Sequence, residues 1–194
     1  MEPALSSAGW EETLRADRSD RDRQIREDPA TPLLAEDVKT FRGLEYWPPD
    51  PALRFVGPVV VNDRLERFTI VTTSGKPRPC ERYGTVRFVI EGRTHSLQVY
   101  RLLDVAARPG EESLFLPFQD ATSGRETYPA GRYVDLTGPR GGPYGLDFNR
   151  AYNPSCAYGA ADRFACPVTP PENRLGVRIE AGERGYKGRV AVRS

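Results

Sequence analysis

The stretch that decides the fold is ERYGTVRFVIEGRTHSLQVY, residues 81–100. Apolar residues alternate with polar ones on both sides of the Gly92-Arg93 pair, and they are Val86, Phe88, Ile90, Leu97 and Val99. An alternation with a period of two is typical of a β-strand with one buried face. A short connection that contains Gly between two such runs is typical of a hairpin. These residues therefore predict an antiparallel hairpin that turns at Gly92-Arg93.

The same alternation appears in shorter runs before and after this hairpin. The alternating positions are Phe55, Val59 and Val61, then Phe68, Ile70 and Thr72, then Leu114, Leu116 and Phe118, then Val134 and Leu136, and finally Leu175, Val177 and Ile179. No segment of helical period that is long enough for a crossover separates these runs, which disfavours parallel strands. The 18 Gly and 18 Pro residues suit the many turns of such a fold. We expect a mainly β protein with a single antiparallel β-barrel-like or sandwich domain.

A highly charged segment precedes the β region. Acid-before-base pairs lie four residues apart between Trp10 and Glu27, and they are Glu11/Arg15, Asp17/Arg21 and Asp22/Arg26. This spacing stabilises a solvated helix, and the few large apolar residues, Trp10, Leu14 and Ile25, supply a thin stripe for packing. We expect residues 1–40 to form an N-terminal helical arm packed on an antiparallel β domain of residues 41–194.

Composition excludes several classes of partner. The formal net charge is +1, from 28 Lys and Arg against 27 Asp and Glu, so no strong field draws the protein to nucleic acid or anionic lipid. Neither a secretory leader nor a membrane-spanning run is present in the sequence. Three cysteines without a CxxC motif suit a reducing compartment. We expect a cytoplasmic protein without nucleic-acid or membrane partners, and its oligomeric state is not indicated.

The single histidine, His95, limits the available chemistry. Zinc and iron centres built from several histidines are impossible. No GxGxxG, phosphate-loop or GxSxG motif occurs in a suitable context. We therefore expect no organic cofactor and no metal centre. A weaker alternative is a divalent-cation site built from the carboxylates of Asp120, Glu126 and Asp147.

Several runs resemble the bacterial family called domain of unknown function 1684, DUF1684. The runs are FRGLEYWPPD (41–50), YGTVRFVIEG (83–92), PFQDATSGRETYPAGRYVDL (117–136), DFNRAYNPSCAY (147–158), CPVTPPENRL (166–175) and EAGE (180–183). The resemblance extends from about Phe41 to Glu183. It implies that these polar stretches are shared by the family, including the pair Cys156 and Cys166, but it implies no activity.

Polar side chains concentrate in the second half of the chain, on short segments rich in Gly and Pro. The residues expected to take part in catalysis are Asp120, Glu126, Arg132, Asp147 and Tyr152. Those expected to bind a ligand are Thr122, Tyr128, Tyr133, Asn149 and Asn153. Carboxylates can move protons, Tyr can donate one, and Arg can hold an oxyanion. The alternatives are structural: Asp120 can hold a turn, and Arg132 can pair with Asp120 or Glu126 inside the protein.

Cys156 and Cys166 are expected to pack as two small apolar thiols. A redox-sensitive disulfide is the alternative, and a zinc site that also uses Cys80 and His95 is a weaker one.

Two hypotheses of function follow from these patterns. The first is a soluble protein that binds a small organic molecule, an anionic one included, in a polar pocket lined by Tyr, Arg and Asp. Acid–base catalysis of the isomerase, lyase or hydrolase type is compatible with that pocket, and whether the protein is an enzyme stays open. The second hypothesis is a non-catalytic structural or partner-binding protein that acts through its charged N-terminal arm.

Overall fold

The computed structural model describes residues 1–4, 9–105, 112–136 and 138–188. Within them the helices are α1 (Trp10–Glu27) and α2 (Ala35–Val38). The strands are β1 (Glu2–Pro3), β2 (Arg54–Gly57), β3 (Val60–Val71), β4 (Pro77–Ile90), β5 (Arg93–Leu102), β6 (Leu114–Phe118), β7 (Arg132–Leu136) and β8 (Tyr144–Asp147). Short 3₁₀ turns follow β8 and occupy much of the remaining chain.

The strands form two antiparallel sheets. One sheet has the order β1-β2-β8, and the other has the order β3-β4-β5-β6-β7. Consecutive strands are neighbours throughout the larger sheet, as expected for a meander. The prediction of a mainly β, antiparallel fold is confirmed. The larger sheet does not close into a barrel, so the sandwich alternative describes the architecture.

The core lies between the two sheets. Phe55 of β2 and Leu146 of β8 pack against the inward residues of the larger sheet. The rings of Phe55 and Phe88 have centroids 5.2 Å apart, and Phe148, just after β8, packs edge-on against Phe118 at the same distance. Burying each of these side chains contributes about 1.5–3 kcal/mol. The alternation at Val86, Phe88, Leu97 and Val99 thus selects the face of these strands that enters the core. The predicted run of Phe55, Val59 and Val61 is wrong, because Phe55 lies in β2 and Val61 in β3, which belong to different sheets, and Val61 is exposed.

The hairpin β4–β5 has the predicted strands, with a turn shifted by one residue. Ile90 pairs with Arg93, which leaves Glu91 and Gly92 as the two-residue connection. Both have positive φ, 52° and 72°, as a tight primed turn requires. Gly92 adopts this conformation without steric cost, so it belongs in the turn and Arg93 begins the next strand.

The predicted late strand at Leu175, Val177 and Ile179 is wrong. This segment is irregular, with single backbone bonds from Ala121 N to Val177 O (3.0 Å) and from Leu175 N to Gln119 O (2.8 Å). The Ile179 amide donates to the Asp120 carboxylate, not to a neighbouring strand. The alternating apolar residues pack on the core, but a side chain accepts the hydrogen bond that a sheet would supply.

Helix α1 occupies the predicted range and packs through the predicted stripe. Trp10, Leu14 and Ile25 are buried while most of the other side chains are exposed. No helix among the described residues is both long and apolar enough to cross a membrane. The division between an arm of residues 1–40 and a domain of residues 41–194 stays a prediction.

Only one of the three predicted ion pairs within α1 is present. Glu11 and Arg15 pair at 2.8 Å. The remaining four residues contact other parts of the chain. Asp17 pairs with Arg150, and Arg21 pairs with Glu183. Asp22 accepts a hydrogen bond from Leu44 N, and the Arg26 guanidinium lies over the ring of Phe41. These residues lie on the flank of the helix that meets the domain, so tertiary partners replace the helical ones.

Candidate functional site

The first predicted cluster contains a buried ionic network. Arg132 and Asp120 pair at 3.4 Å with side chains that are both 0% exposed. Arg132 also donates to the carbonyl oxygens of Ile179 (2.8 Å), Glu183 (3.2 Å) and Ala181. Desolvation by burial lowers the pKa of the Arg132 guanidinium, and the Asp120 charge opposes that shift. These bonds hold the segment around Ile179 against β7.

The turn after β6 supports this network. Asp120 accepts hydrogen bonds from the Ile179 amide at 2.7 Å and from the Thr122 amide and hydroxyl at 3.3 and 2.9 Å. The Thr122 hydroxyl also lies 2.9 Å from that of Thr127. This is the structural alternative expected for Asp120. Both oxygens of the Asp120 carboxylate therefore accept hydrogen bonds from the protein itself.

Glu126 does not share this environment. Its carboxylate pairs with Arg178 at 2.8 Å near the surface, and this hydrogen bond lowers the pKa of Glu126. Asp120 and Glu126 therefore do not form a carboxylate pair around a common space.

The second predicted cluster anchors the arm. Asp147 accepts from the indole Nε1 of Trp10 at 2.9 Å and from the Asn149 amide at 3.0 Å. The Asn149 side chain accepts from Asp50 N (2.7 Å) and donates to Asp50 O (2.8 Å) and to Asp147 (2.9 Å). Arg54 lies near both Asp147 (3.4 Å) and the ring face of Trp10. These contacts join the start of α1 to the end of β8.

Asp120, Glu126 and Asp147 lie in three separate networks, so the alternative of a cation site from these carboxylates is wrong. Within the described ranges, no group of three or more His, Cys, Asp or Glu residues is arranged to hold a metal ion.

A cleft lies under α1, and we call it the arm cleft. Its volume is about 340 Å³, which falls within the range of small-molecule sites. The polar residues that line it are Asp17, Arg18, Arg21, Tyr46, Asp135, Asn149, Arg150, Tyr152 and Glu183. The helix supplies one wall, and the ends of β7 and the segment after β8 supply the other. Tyr152 and Asn149 are thus the predicted site residues that face it.

Arg21 and Glu183 fasten the helix across the cleft. Glu183 is 1% exposed, and its carboxylate accepts from Arg21 Nε at 3.2 Å, from Asn153 N at 2.8 Å and from the Tyr158 hydroxyl. Desolvation is the largest single effect on Arg21 and works against its charge, but Glu183 and the Tyr158 hydroxyl together outweigh it and raise the pKa of the guanidinium. The Arg21 guanidinium also lies over the rings of Tyr152 and Tyr158, with centroids at 5.3 and 6.0 Å. Desolvation by burial raises the pKa of Glu183, although Arg21, the Asn153 amide and the Tyr158 hydroxyl all act in the opposite direction.

Arg18 and Tyr46 each have one donor atom, Nε and the hydroxyl, that no other group of the described chain accepts from. Arg18 donates to the carbonyl oxygens of Trp47 (3.1 Å) and Asn149 (3.4 Å), and it has no ion-pair partner among the described residues. Its carbon Cζ lies 4.5 Å from the ring centre of Tyr46. In the same part of the structure, Arg18 Nε and the Tyr46 hydroxyl are buried without hydrogen-bond partners. Each such group costs about 1–3 kcal/mol. Both atoms are closed to a water-sized molecule, so an acceptor in the cleft would remove this penalty only after the two side chains turned toward it.

Asp135 of β7 is the acidic residue on the wall of the arm cleft that lies opposite α1. It is the exposed residue of the otherwise buried strand β7, and it borders the arm cleft and two neighbouring cavities. The Tyr152 hydroxyl donates to its Oδ2 at 3.1 Å. Although the side chain reaches the cavities, the surrounding protein removes enough water to raise its pKa, against the opposing effects of Tyr152 and Arg21. Burial and then the Asp135 charge raise the pKa of Tyr152.

A second cavity of about 360 Å³ adjoins the arm cleft. Arg21, Asp135 and Tyr152 line both spaces. Tyr133 and Asn153, two predicted binding residues, border the second cavity, and the Tyr133 hydroxyl donates to the carbonyl of Pro167. Tyr128 instead packs at the edge of the small core beneath α2. The predicted site residues are therefore divided between a buried network, the arm anchor and these two cavities, with Glu126 near the surface and Tyr128 in the small core.

A disulfide joins Cys156 and Cys166 next to the second cavity. Their Cα atoms are 6.4 Å apart, within the span that a disulfide bridges. The expectation of two separate packed thiols is wrong, and so is the zinc alternative, because both sulfurs are used. Burial raises the pKa of the remaining thiol, Cys80, to about 11.

Sequence reasoning missed the cleft residues Arg18 and Arg21, because the charged helix was interpreted as a solvated surface. It also missed Tyr46, which lies outside that helix in the run 41–50. One signal was present: Arg18 lies four positions from Leu14 and seven from Ile25, on the flank beside the apolar stripe. Glu183 was noted only as part of the run EAGE (180–183) that resembles the family, and nothing in that run indicates a partner on α1.

Comparisons with known proteins give the chain a family. Among curated proteins, none matches it. Among solved structures, an uncharacterized protein of Haloarcula marismortui, determined by solution NMR, is similar with a TM-score of 0.68 and 34% sequence identity. The match covers 90% of this chain and 94% of that one. Residues 39–184 match the family described as "Protein of unknown function (DUF1684)". This range covers most of the chain and includes every predicted site residue, so the protein belongs to the DUF1684 family.

Proposed function

We propose that the arm cleft binds a small organic anion. The observation that carries the proposal is the meeting of Arg18, Arg21 and Tyr46 on one cavity, with Arg18 Nε and the Tyr46 hydroxyl lacking acceptors within the described structure. Arg21 is engaged by Glu183, whereas the hydrogen bonds that Arg18 makes within the described ranges go to carbonyl oxygens. A carboxylate of the ligand beside Arg18 and Tyr46 would provide both the missing charge and the missing acceptors.

Asp135 and Tyr152 support an acid–base form of this function. They are hydrogen-bonded at 3.1 Å and face the same cleft. A raised carboxyl pKa brings Asp135 nearer to the range in which a side chain exchanges protons efficiently. We propose that Asp135 accepts a proton from a bound anion and that Tyr152 positions the carboxylate. Isomerisation, elimination and hydrolysis are all compatible with this pair, and none requires an organic cofactor.

The alternative of partner binding through the charged arm has less support. On the outer face of α1, Glu11 pairs with Arg15 at 2.8 Å and Asp20 with Arg23 at 2.7 Å. These charges already neutralise each other. The inner face is occupied by the cleft and by the anchor of Trp10. Deleting the arm would remove both kinds of function, so point variants are needed to separate them.

The proposal is tested by measuring the thermal unfolding midpoint, Tm, at constant ionic strength with acetate, butyrate, malonate and phosphate. At least one organic anion should raise Tm in proportion to the logarithm of its concentration. Arg18→Gln should abolish the shift, because it removes the charge and keeps a side chain of similar length. Arg15→Gln is the matched control on the outer face of the same helix. The proposal fails if no organic anion stabilises the protein, or if both variants respond like the wild type.

A further inference from the structure

We infer that the Cys156–Cys166 disulfide controls how firmly helix α1 is held on the protein, so that reduction of the bond loosens the helix. The disulfide closes residues 156–166 into a loop, which we call the bridge loop. Both the end of α1 and the clamp formed by Arg21 and Glu183 depend on contacts with this loop. The inference is independent of the proposed anion site, because it concerns the docking of the helix and not a ligand.

The bridge loop carries part of the apolar surface on which α1 packs. Ile25 is the buried residue in the last turn of the helix. It lies in a small core with Leu33 and with Ala157 and Tyr158, which belong to the bridge loop. A displacement of the loop would therefore remove apolar partners from the end of the helix.

The same loop holds the segment that follows α1. Ala160 N donates to Pro32 O at 3.0 Å. The Arg163 guanidinium donates to the carbonyl oxygens of Thr31 at 2.6 Å and of Leu33 at 3.2 Å. These three hydrogen bonds fix the chain just after the helix to the bridge loop.

The clamp across the arm cleft is also tied to this loop. The Glu183 carboxylate, which pairs with Arg21 at 3.2 Å, accepts from Asn153 N at 2.8 Å and from the Tyr158 hydroxyl. The two donors lie on either side of the 3₁₀ turn Ser155–Ala157, which contains one of the bonded cysteines. A shift of this turn would disturb both donors and thereby the group that holds Arg21.

The two ends of the disulfide are anchored differently. Cys166 is joined to the end of β3, because Thr73 N donates to Cys166 O and Val168 N donates to Val71 O, both at 2.8 Å. Cys156 lies in a 3₁₀ turn of only three residues. Two unbonded sulfur atoms cannot stay at covalent distance. On reduction we therefore expect the turn around Cys156 to move and the segment around Cys166 to stay with the sheet.

The second cavity gives a thiol reagent access to the bond, because Cys166 is among its lining residues. A thiolate of a dithiol reductant attacks Cys166 Sγ, the bond to Cys156 Sγ breaks, and Cys156 leaves as a thiolate that takes up a proton. The second thiol of the reductant then displaces Cys166 Sγ, which takes up the other proton. Two protein thiols are formed, and the reductant is oxidised to a disulfide.

The test measures amide hydrogen exchange by mass spectrometry on the full chain, oxidised and after reduction with dithiothreitol. Opening of a local segment is reported by the exchange of its own amides. We expect amides of α1 to exchange at least about tenfold faster after reduction. Residues 81–100 of the β4–β5 hairpin should exchange at an unchanged rate, because the contacts that reduction disturbs do not include them.

Three variants separate the disulfide from other effects of the reagent. Cys156→Ser/Cys166→Ser should show the fast exchange of α1 both with and without dithiothreitol. Arg163→Gln keeps the disulfide and removes two bonds of the bridge loop, so residues 24–33 should exchange at least about threefold faster in the oxidised protein. Asp162→Asn, at the exposed neighbouring position, is the matched control and should exchange like the wild type.

Three results would overturn the inference. The first is unchanged exchange of α1 in the reduced wild type, a measurement that does not require any variant to fold. The second is an equal acceleration in α1 and in residues 81–100, since reduction would then act on the whole fold. The third is an acceleration by dithiothreitol that persists in the double serine variant, which would assign the effect to Cys80 or to the reagent.

Discussion

The buried pair Asp120–Arg132 offers a direct test of the distinction between structural and functional polar residues. Asp120→Asn keeps the shape of the side chain and removes its charge. The Arg132 guanidinium, 0% exposed, then loses its carboxylate partner, and the amides of Ile179 and Thr122 lose a charged acceptor. Leaving one member of a buried pair without its partner costs about 3–5 kcal/mol. A typical unfolding free energy is about 5–15 kcal/mol, so the variant should lose a large fraction of its stability.

Glu126→Gln is the matched control for this substitution. Both residues belong to the same polar run, and both carboxylates contact an arginine in the structure. Glu126 lies near solvent, where screening makes an ion pair weak, so its replacement should leave the urea midpoint unchanged within error. The assay is urea unfolding followed by circular dichroism, with the slope m compared among variants. If Asp120→Asn is no more destabilising than Glu126→Gln, the assignment of Asp120 to the structural network is wrong.

Two further predictions concern the second cavity and its junction with the arm cleft. Asp135→Asn should stabilise the protein at neutral pH. Burial raises the native pKa above the ordinary value of 3.8, so ionisation favours the unfolded state from about pH 3.8 upward, and the effect is complete once pH exceeds the native pKa. The gain in unfolding free energy should vanish below pH 3.8, where the carboxyl is protonated in both states. Urea midpoints measured from about pH 3 to 8 test this, and a gain that persists at about pH 3 would contradict the proposed cause. Reduction of the Cys156–Cys166 disulfide, which closes a separation of 10 residues, should lower the free energy of unfolding by about 2–3 kcal/mol. Urea titrations with and without dithiothreitol measure this loss. The Cys156→Ser/Cys166→Ser variant is the control and should not respond to the reductant. An unchanged wild-type midpoint would contradict the presence of the disulfide.

The strands could be predicted because their cause is local. Alternation at Val86, Phe88 and Ile90 reflects one buried face, and the pleat of a strand repeats with that period wherever the strand is placed. The same reasoning failed at Leu175–Ile179 because the segment satisfies its backbone through Asp120 and through single bonds to other loops. Alternation reports which side chains are buried. It does not report which group accepts the hydrogen bonds of the backbone.

The cleft could be predicted only in part, because it is made by contacts between distant segments. Tyr152 was selected from a polar, Gly- and Pro-rich run, and it does line the cleft. Arg21 has an acidic residue four positions before it in α1, so local rules assign it to the helix surface, whereas its partner is Glu183, 162 residues away. The polar residues that were easiest to notice, Asp120 and Arg132, are those that the fold uses to join its own loops.

The arm cleft depends on a helix, α1, that packs on the rest of the protein through few apolar side chains. Helix α1 has 18 residues, of which three are buried, and it contributes both Arg18 and Arg21 to the cleft. A segment with such a small buried stripe belongs to the parts of a protein that open most readily. Whenever it detaches, one wall of the cleft departs with it. The measured affinity for the proposed anion would then equal the intrinsic affinity multiplied by the fraction of molecules whose helix is docked. Substitutions of Trp10 or Ile25, which do not line the cleft, should therefore weaken binding of the proposed anion as effectively as substitutions in the cleft.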